Sequence, residues 1–234
     1  MMQVMELTFF IQEVTNNPGD ILNRLNQIVE LYNGICGKEN WFLPGESKED
    51  AMKCKIFHDG ELSDDAMLLM TNYLKDDLPF VTSAIWSLNE NSIKFGNYIQ
   101  GDVNKFSYEI NHCYKNEAEA MNFASQFVLK IIDKISPHIL RLETNGYSLH
   151  ESQVFLDRLP VGWMFYIDKS YDEKTLNLPK QMHSIKREGQ PVGTLFVTKR
   201  DFFDGSNKAD ITLSNDLEIA LVAHDILPTY KKIF

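Results

Sequence analysis

One stretch, Thr82–Asn111, decides the fold class: TSAIWSLNENSIKFGNYIQGDVNKFSYEIN. Three runs of it have the composition of strands: Ala84–Leu88, Ser92–Tyr98, and a third in which Phe106, Tyr108 and Ile110 alternate strictly with polar residues. A period of two is typical of β-strands that bury one face, and the polar residues Asn89–Asn91 favour a turn between the first two runs. The stretch therefore predicts three antiparallel strands joined as a meander.

A strand and a helix are predicted before this meander. Leu7–Val14 is an apolar run that ends in turn residues, which indicates a strand. Pro18 suits the first position of a following helix, Asn17 is placed to cap it, and Gly34 is expected to end it. The residues that would form its buried face are Leu22, Leu25, Val29 and Tyr32.

The segment between this helix and the meander predicts short elements only. Trp41–Gly45 is expected to form an apolar turn. Ser47 and Ser63 each precede a short helical pattern and are placed to cap it.

The clearest helix follows the meander, over Asn116–Ile135. Asn116 is placed to cap it and Glu119 occupies the capping-box position. One wide apolar stripe runs along it: Ala120, Phe123, Phe127, Ile131 and Ile135. Such a stripe needs a sheet to cover. Pro137 ends the helix, and Ile139–Thr144 is predicted to return as a strand.

The second half of the chain predicts three more strands and a closing helix. The strands are expected at Gly162–Ile167, Met182–Arg187 and Val192–Thr198, with a hairpin at Glu188–Pro191. The helix is expected over Asn207–Ala223. Its apolar row would be Leu213, Leu217 and Leu221, with Asp210, Asp216 and Glu218 on a solvated acidic side.

Strands and helices in this irregular order predict an α+β fold with a mostly antiparallel sheet. The length of 234 residues fits one such domain, and we expect residues 1–234 to form it, with helices packed on the sheet. The segment around Asn145–Gly146 is the one candidate for a domain boundary. The second half alone offers too few elements for an independent core.

The charge of the chain bears on its partners. Its formal net charge is -10, so a phosphate backbone would on average be repelled and we expect no direct nucleic-acid binding. A basic protein would instead be attracted. The three cysteines show no disulfide pattern, and neither a secretory signal nor a membrane span is recognisable. These features predict a cytoplasmic protein.

Motifs that approach catalytic signatures are incomplete in this chain. Gly146–His150 begins like a nucleophile elbow but has His where the second Gly belongs. Gly34–Lys38 has glycines too close together for a phosphate loop. His112 and Cys113 are adjacent on a predicted strand, so their side chains face opposite sides. The six histidines lack the spacing of common zinc motifs. We expect no catalytic residue, no metal and no cofactor.

Several segments together carry a resemblance to a known family. They are Gly162–Tyr166, Pro191–Val197, Leu213–Ile219 leading into Ile226–Pro228, and the pattern Trp-x-Leu-x-Gly-x-Ser-Lys-Glu-x-Ala at Trp41–Ala51. In this order they resemble the immunity protein 52 family, whose members are encoded beside polymorphic toxins with restriction-endonuclease-like nuclease domains. The family motif has an Asn and a Glu at the positions of Asn215 and Glu218. Ala220 stands where the family has a basic residue, so a shared salt bridge is in doubt.

The resemblance implies a non-enzymatic antitoxin that binds and neutralises a cognate nuclease toxin of a polymorphic toxin or type VI secretion system. Two other classes remain open. One is an adaptor or chaperone that binds a secreted effector without suppressing it, and the other is a small-molecule hydrolase whose site the spacing does not reveal.

The predicted contacts with the partner lie in two acidic regions. Loops that carry acids and exposed aromatics suit the rim of a protein interface. The candidates are Glu61, Asp64, Asp65, Asp76, Asp77, Asp201, Phe202, Phe203 and Asp204. Helix caps and solvated turns are the competing interpretation of the same residues.

Overall fold

The computed structural model describes residues 3–13, 18–45, 47–53, 55–58, 61–77, 82–100, 103–172, 176, 178 and 182–233. Its strands are β1 (Gln3–Glu13), β2 (Trp41–Phe42), β3 (Phe57–His58), β4 (Glu61–Leu62), β5 (Thr82–Ser87), β6 (Ser92–Gln100), β7 (Val103–Tyr114), β8 (Ile139–Thr144), β9 (Met164–Ile167), β10 (Met182–Arg187) and β11 (Gln190–Val197). Its helices are α1 (Pro18–Cys36), α2 (Lys48–Ala51), α3 (Asp64–Asp77), α4 (Glu117–Lys134), α5 (Lys208–Ala223) and α6 (Tyr230–Ile233).

Among the described residues, nine strands form one sheet in the order β10-β11-β9-β8-β1-β7-β6-β5-β2. Every neighbouring pair is antiparallel, and β5, β6 and β7 form the predicted meander. Both halves of the chain contribute strands, so the described residues form one compact α+β unit. The predicted fold class is confirmed.

Strand β1 lies at the centre of the sheet because both β7 and β8 pair with it. Its residues alternate between two cores, as the period of a strand requires. Met5, Leu7 and Phe9 are buried in the larger core, whereas Phe10 belongs to a second core on the opposite face. The strand begins four residues before the predicted Leu7, while Val14 and the proposed cap Asn17 lie outside the described residues.

Helices α1, α3 and α4 cover the first face of the sheet, and Tyr32 of α1 is at the centre of this layer. Its ring makes edge contacts with those of Trp41, Phe123 and Phe127. The predicted buried faces of α1 and α4 are confirmed, and Asn116 Oδ1 accepts from the backbone N–H of Glu119 as a cap should.

Two predictions near the end of α1 are wrong. The helix continues through Gly34 to Cys36, and Gly37, with a φ of 91°, makes the left-handed turn that follows it. Trp41 and Phe42 form an edge strand instead of a turn, since they pair with Ser87 and Trp86 of β5.

Helix α5 covers one end of the opposite face. Leu217 and Leu221 pack with Phe165 of β9 and Phe196 of β11, and Asn207 caps the helix as predicted. Leu213 differs from the prediction because it is 41% exposed. The expected solvated acidic side is also wrong in part, since the carboxylates of two of its members, Asp210 and Glu218, are buried.

Candidate functional site

The register of the four central strands determines the chemistry of the opposite face. Residues directly paired across an antiparallel sheet present their side chains on the same side. One row holds Lys94, Glu109, Thr8 and Arg141, a second holds Ser92, Asn111, Glu6 and Glu143, and a third holds Gly96, Ser107, Phe10 and Ile139. The first two rows are polar and charged, although they cross the middle of the sheet.

The first row becomes apolar only beyond β8. Arg141 pairs with Phe165 of β9, and Phe165 pairs with Phe196 of β11. Helix α5 packs on these two rings. The described helices therefore cover the apolar end of this face, while a cleft lies over its polar middle.

This cleft has a volume of about 670 Å³, and we call it the trough. The sheet contributes Gln3, Val4, Glu6, Lys94, Glu109, Asn111, Glu143 and Thr144, and two loops contribute Asn145, Gly146, Leu149, His150, Asp204 and Ser206. A smaller cavity of about 360 Å³ shares Lys94 and Glu109 with it and continues along the same face toward Tyr230.

Arg141 forms the charged centre of the face. Its guanidinium contacts the carboxylates of Glu6 and Glu143, and it is nearly buried. These two carboxylates raise the pKa of Arg141 in spite of its burial. Burial also raises the pKa of Glu6, although the charge of Arg141 acts to lower it.

The second ion pair joins Lys94 and Glu109 at 2.6 Å and lies at the open side of the trough. Burial acts to raise the pKa of Glu109, but hydrogen bonds from Lys94 and Asn111 outweigh it and hold this pKa below its usual value. Four carboxylates thus line the trough, with two cations beside them: Glu6, Glu109, Glu143 and Asp204 against Lys94 and Arg141. The trough carries a net negative charge.

The loop that forms one wall of the trough is fixed by buried Glu218. Its carboxylate accepts the backbone N–H groups of Val154 at 2.8 Å and Val161 at 3.0 Å. The Tyr147 hydroxyl lies 3.1 Å from the same carboxylate and 2.8 Å from Asn215 Oδ1. Asn215 and Glu218, the two residues of the family pattern, therefore attach this loop to α5.

A close backbone approach fixes the second loop. Gly205 N–H donates to Thr144 Oγ1 at 2.9 Å, and a Cβ atom at Gly205 would lie 2.0 Å from the Thr144 carbonyl oxygen. Asn145 and Ser206 donate to Asp204 Oδ1 at 2.7–2.9 Å. Despite partial burial, these bonds lower the pKa of Asp204 and keep it charged at the trough wall.

Of the contacts predicted from the sequence, the structure places only Asp204 in the trough. Asp201, three positions before Asp204, is exposed and does not line the trough, and Phe202 is half-buried against Tyr114 and Trp163. Phe203 differs from the expected exposed aromatic, since its side chain is fully buried.

The acidic run around α3 lies apart from the trough. Asp64 and Asp65 are exposed at the start of α3, which belongs to the helical layer on the first face. The side chains of Glu61, Asp76 and Asp77 lie outside the described residues, so the structure does not place them.

The trough residues of the sheet were not singled out from the sequence. A signal was present, because Lys105, Ser107, Glu109 and Asn111 occupy every second position between apolar residues of β7. That pattern indicates a polar face on a long strand. Only the pairing of β7 with β1 shows that this face lies at the centre of the sheet.

The incomplete catalytic motifs have structural roles. Ser148 Oγ donates to Glu143 at 2.7 Å, and His112 stacks on Phe123 with ring centroids 4.3 Å apart. Burial lowers the pKa of His112 to about 4. Across the described ranges, no group of three or more His, Cys, Asp and Glu residues is arranged to hold a metal ion. The helices in those ranges also include none long and apolar enough to cross a membrane.

Apolar surface accompanies the trough. Leu149, which lines it, is 80% exposed, and Val154 and Leu156 on the same segment are exposed as well. Single exposed apolar residues are ordinary on protein surfaces. Leu149 differs in its place, since it lies at the edge of a charged cleft, where a docked partner would bury it.

Comparison with known proteins shows the fold and no family. No protein-family model matches the chain, and no curated protein matches it. Among solved structures, the chain is similar to the Pseudomonas aeruginosa T6SS protein PA0821, with a TM-score of 0.56 and 8% sequence identity. The match covers 94% of this chain and 76% of that one. At this identity the likeness shows the fold alone, and membership of the immunity protein 52 family stays a prediction.

Proposed function

We propose that this protein is an immunity protein, which binds a cognate secreted nuclease toxin of a polymorphic toxin or type VI secretion system and neutralises it in the cytoplasm. The observation that carries the proposal is the acidic trough over the central strands, with an exposed apolar residue at its edge. A protein that acts by binding needs such a preformed, charged and partly apolar surface.

The charge of the chain supports a basic partner. Nucleases that hold DNA need a positive groove, because they must neutralise phosphates. A protein with a net charge of -10 is attracted to such a groove over long distances, which speeds association.

Two observations support a type VI secretion context, and neither distinguishes an inhibitor from an adaptor. One is the similarity of fold to a protein that is itself a T6SS protein. The other is the resemblance of the segments described above to immunity proteins. Both are compatible with an adaptor for a secreted effector, so the experiment must separate inhibition from binding alone.

The test is co-expression with the nuclease domain encoded by the adjacent gene. Wild-type protein should restore growth and keep chromosomal DNA intact, and it should co-purify with a catalytically inactive form of the nuclease. Co-purification with full nuclease activity in the complex would indicate an adaptor. Absence of both protection and co-purification would refute the proposal.

A kinetic measurement tests the electrostatic part. The association rate should fall as ionic strength rises from about 0.01 M to about 1 M, since the screening length shrinks from about 30 Å to about 3 Å. A rate that stays constant over this range would exclude attraction between opposite charges as the cause of fast binding.

A further inference from the structure

We infer that the trough receives an arginine or lysine side chain of the partner protein, and that the partner segment carrying it covers Leu149. This inference rests on the proposed function and deepens it, because it names the docking surface and the chemistry of its occupant.

The first support is unused hydrogen-bonding capacity on three carboxylates of the trough. Glu6 accepts through Oε1 from Arg141 and Thr8, and Glu109 accepts through Oε1 from Lys94 and Asn111. Asp204 accepts through Oδ1. Within the part of the chain that the structure describes, no hydrogen bond reaches the second oxygen of any of these carboxylates.

These oxygens select the class of occupant. They lack the arrangement of a metal site among the described residues, so one compact ion does not satisfy them. A guanidinium has five N–H donors in a planar fork and can bond several separate oxygens, and an ammonium has three. Nucleic acid is disfavoured, because its phosphates would meet the same carboxylates.

The exposed ion pair gives the incoming cation a place to bind. The side chain of Lys94 is 57% exposed and that of Glu109 is 30% exposed, so their pair is open to solvent. A partner cation can share Glu109 with Lys94, or displace Lys94 from Glu109, without breaking the nearly buried contacts of Arg141. Exposed pairs contribute little stability, so this exchange costs little.

The size and lining of the trough fit a polypeptide segment. A volume of about 670 Å³ lies within the range of about 300–1,000 Å³ that binding clefts usually have. Leu149 offers an apolar contact at the edge, which an inorganic cation would not use. A segment with a basic residue beside apolar surface satisfies both features.

The test uses two variants of the trough and two matched controls. Glu109→Lys reverses one charge in the trough, and Glu30→Lys makes the same change on an exposed position of α1 on the other face. Leu149→Asp removes the apolar contact, and Leu129→Asp makes the same change at an exposed position of α4. Thermal melting checks that each variant is folded. Because the side chain of Leu149 is exposed, we expect Leu149→Asp to fold even if Glu109→Lys does not.

The variants are titrated with the inactive nuclease of the adjacent gene. We expect Glu109→Lys and Leu149→Asp each to weaken binding by about tenfold or more, as residues at the centre of an interface do, and both controls to bind within about twofold of wild type. Trough variants that bind as tightly as their controls would overturn this inference and leave the proposed function intact.

A second experiment distinguishes failure of this inference from failure of the proposed function. If wild type does not bind the nuclease, the proposed function fails, and a tetra-arginine peptide amide then tests the trough by NMR of backbone amides. We expect shifts at Glu109, Leu149 and Asp204 that disappear in Glu109→Lys. Shifts centred on Asp64 and Asp65 of α3, or spread evenly over the acidic surface, would refute the trough as the cation site.

Discussion

Replacement of Glu218 tests how the trough wall is held in place. The carboxylate is only 1% exposed and serves three donors: the N–H groups of Val154 and Val161 and the hydroxyl of Tyr147. A glutamine keeps one acceptor oxygen. It can serve Val161 and Tyr147 with that oxygen, but its NH₂ group then faces the N–H of Val154, two donors at hydrogen-bond distance.

The expected magnitude follows from this count. Glu218→Gln leaves one buried N–H without an acceptor, which costs about 1–3 kcal/mol. Glu218→Ala leaves the N–H groups of Val154 and Val161 without an acceptor, leaves Tyr147 only Asn215 Oδ1, and also creates a void, so we expect a loss of about 3–5 kcal/mol. For a chain of this size, each 1 kcal/mol lowers the melting temperature by roughly 2–4 °C.

The pKa of Glu218 predicts how the stability difference between wild type and Glu218→Gln changes with pH. Burial raises the pKa of Glu218 in the fold, although the hydrogen bonds from Val161, Val154 and Tyr147 act to lower it. The folded state therefore holds the proton more tightly than the unfolded chain, whose Glu pKa is about 4.3. The wild-type advantage over Glu218→Gln should be largest below that pH and should shrink as pH rises through the raised folded pKa.

Urea unfolding of wild type, Glu218→Gln, Glu218→Ala and Asp216→Asn measures these differences. Asp216 is an exposed carboxylate on the same helix, so its variant controls for the loss of one charge. The reasoning is refuted if Glu218→Ala unfolds at the same urea concentration as Asp216→Asn. It is also refuted if the gap between wild type and Glu218→Gln widens as pH rises.

Three further outcomes are expected of the fold. Gly205→Ala should lower the free energy of unfolding by about 2 kcal/mol or more, because its Cβ would lie 2.0 Å from the Thr144 carbonyl oxygen. Gly34→Ala in α1 has open space around the new Cβ and should raise the free energy of unfolding by roughly 0.5–1 kcal/mol. Equal melting temperatures of the two variants would contradict this prediction. Tyr32→Phe removes the 2.7 Å hydrogen bond between Tyr32 Oη and His112 Nδ1 and should cost about 1–3 kcal/mol in urea unfolding, with an unchanged midpoint counting against it. His112 stays neutral in the fold, since burial lowers its pKa to about 4. Its contribution of roughly 3 kcal/mol to the free energy of unfolding should therefore be lost as pH falls from about 6.5 to about 4. If the free energy of unfolding of a His112→Gln variant falls as steeply over this pH range, His112 is not the cause.

Local patterns in the sequence were sufficient to predict most of the elements. The meander, the capped helix α4 and the closing helix α5 each carry periodicity and end signals within their own residues, and all three are confirmed. One error, at the end of α1, is local, and another lies where a distant partner decides. Trp41 and Phe42 become a strand only because β5 offers an edge to pair with.

The trough could be predicted in part only. The alternation of β7 indicates a polar face on a strand, but this face is shared by four strands, and contacting residues on it, such as Glu6 and Arg141, are up to 135 positions apart in the sequence. The burial of Glu218 could not be predicted from the sequence either. A glutamate ordinarily favours solvent exposure, but Glu218 lies next to Leu217 and Leu221 on the buried side of α5. Its carboxylate is satisfied there by backbone N–H groups of the 145–161 loop, which need acceptors.

The Arg141 cluster bears on why this face of the sheet is charged at all. A nearly buried arginine between two carboxylates contributes little net stability, because the desolvation of three charges offsets their attraction, and apolar residues of similar volume often serve as well or better. The same row of the sheet is apolar where α5 covers it, at Phe165 and Phe196. The exposed members of the row are Glu109 on β7 and Lys94 on β6, and apolar residues at these two positions would expose hydrophobic surface at the open side of the trough. Charge at these two positions keeps the open side of the trough hydrated, and a cleft that is both preformed and charged can select a basic partner by its electrostatics.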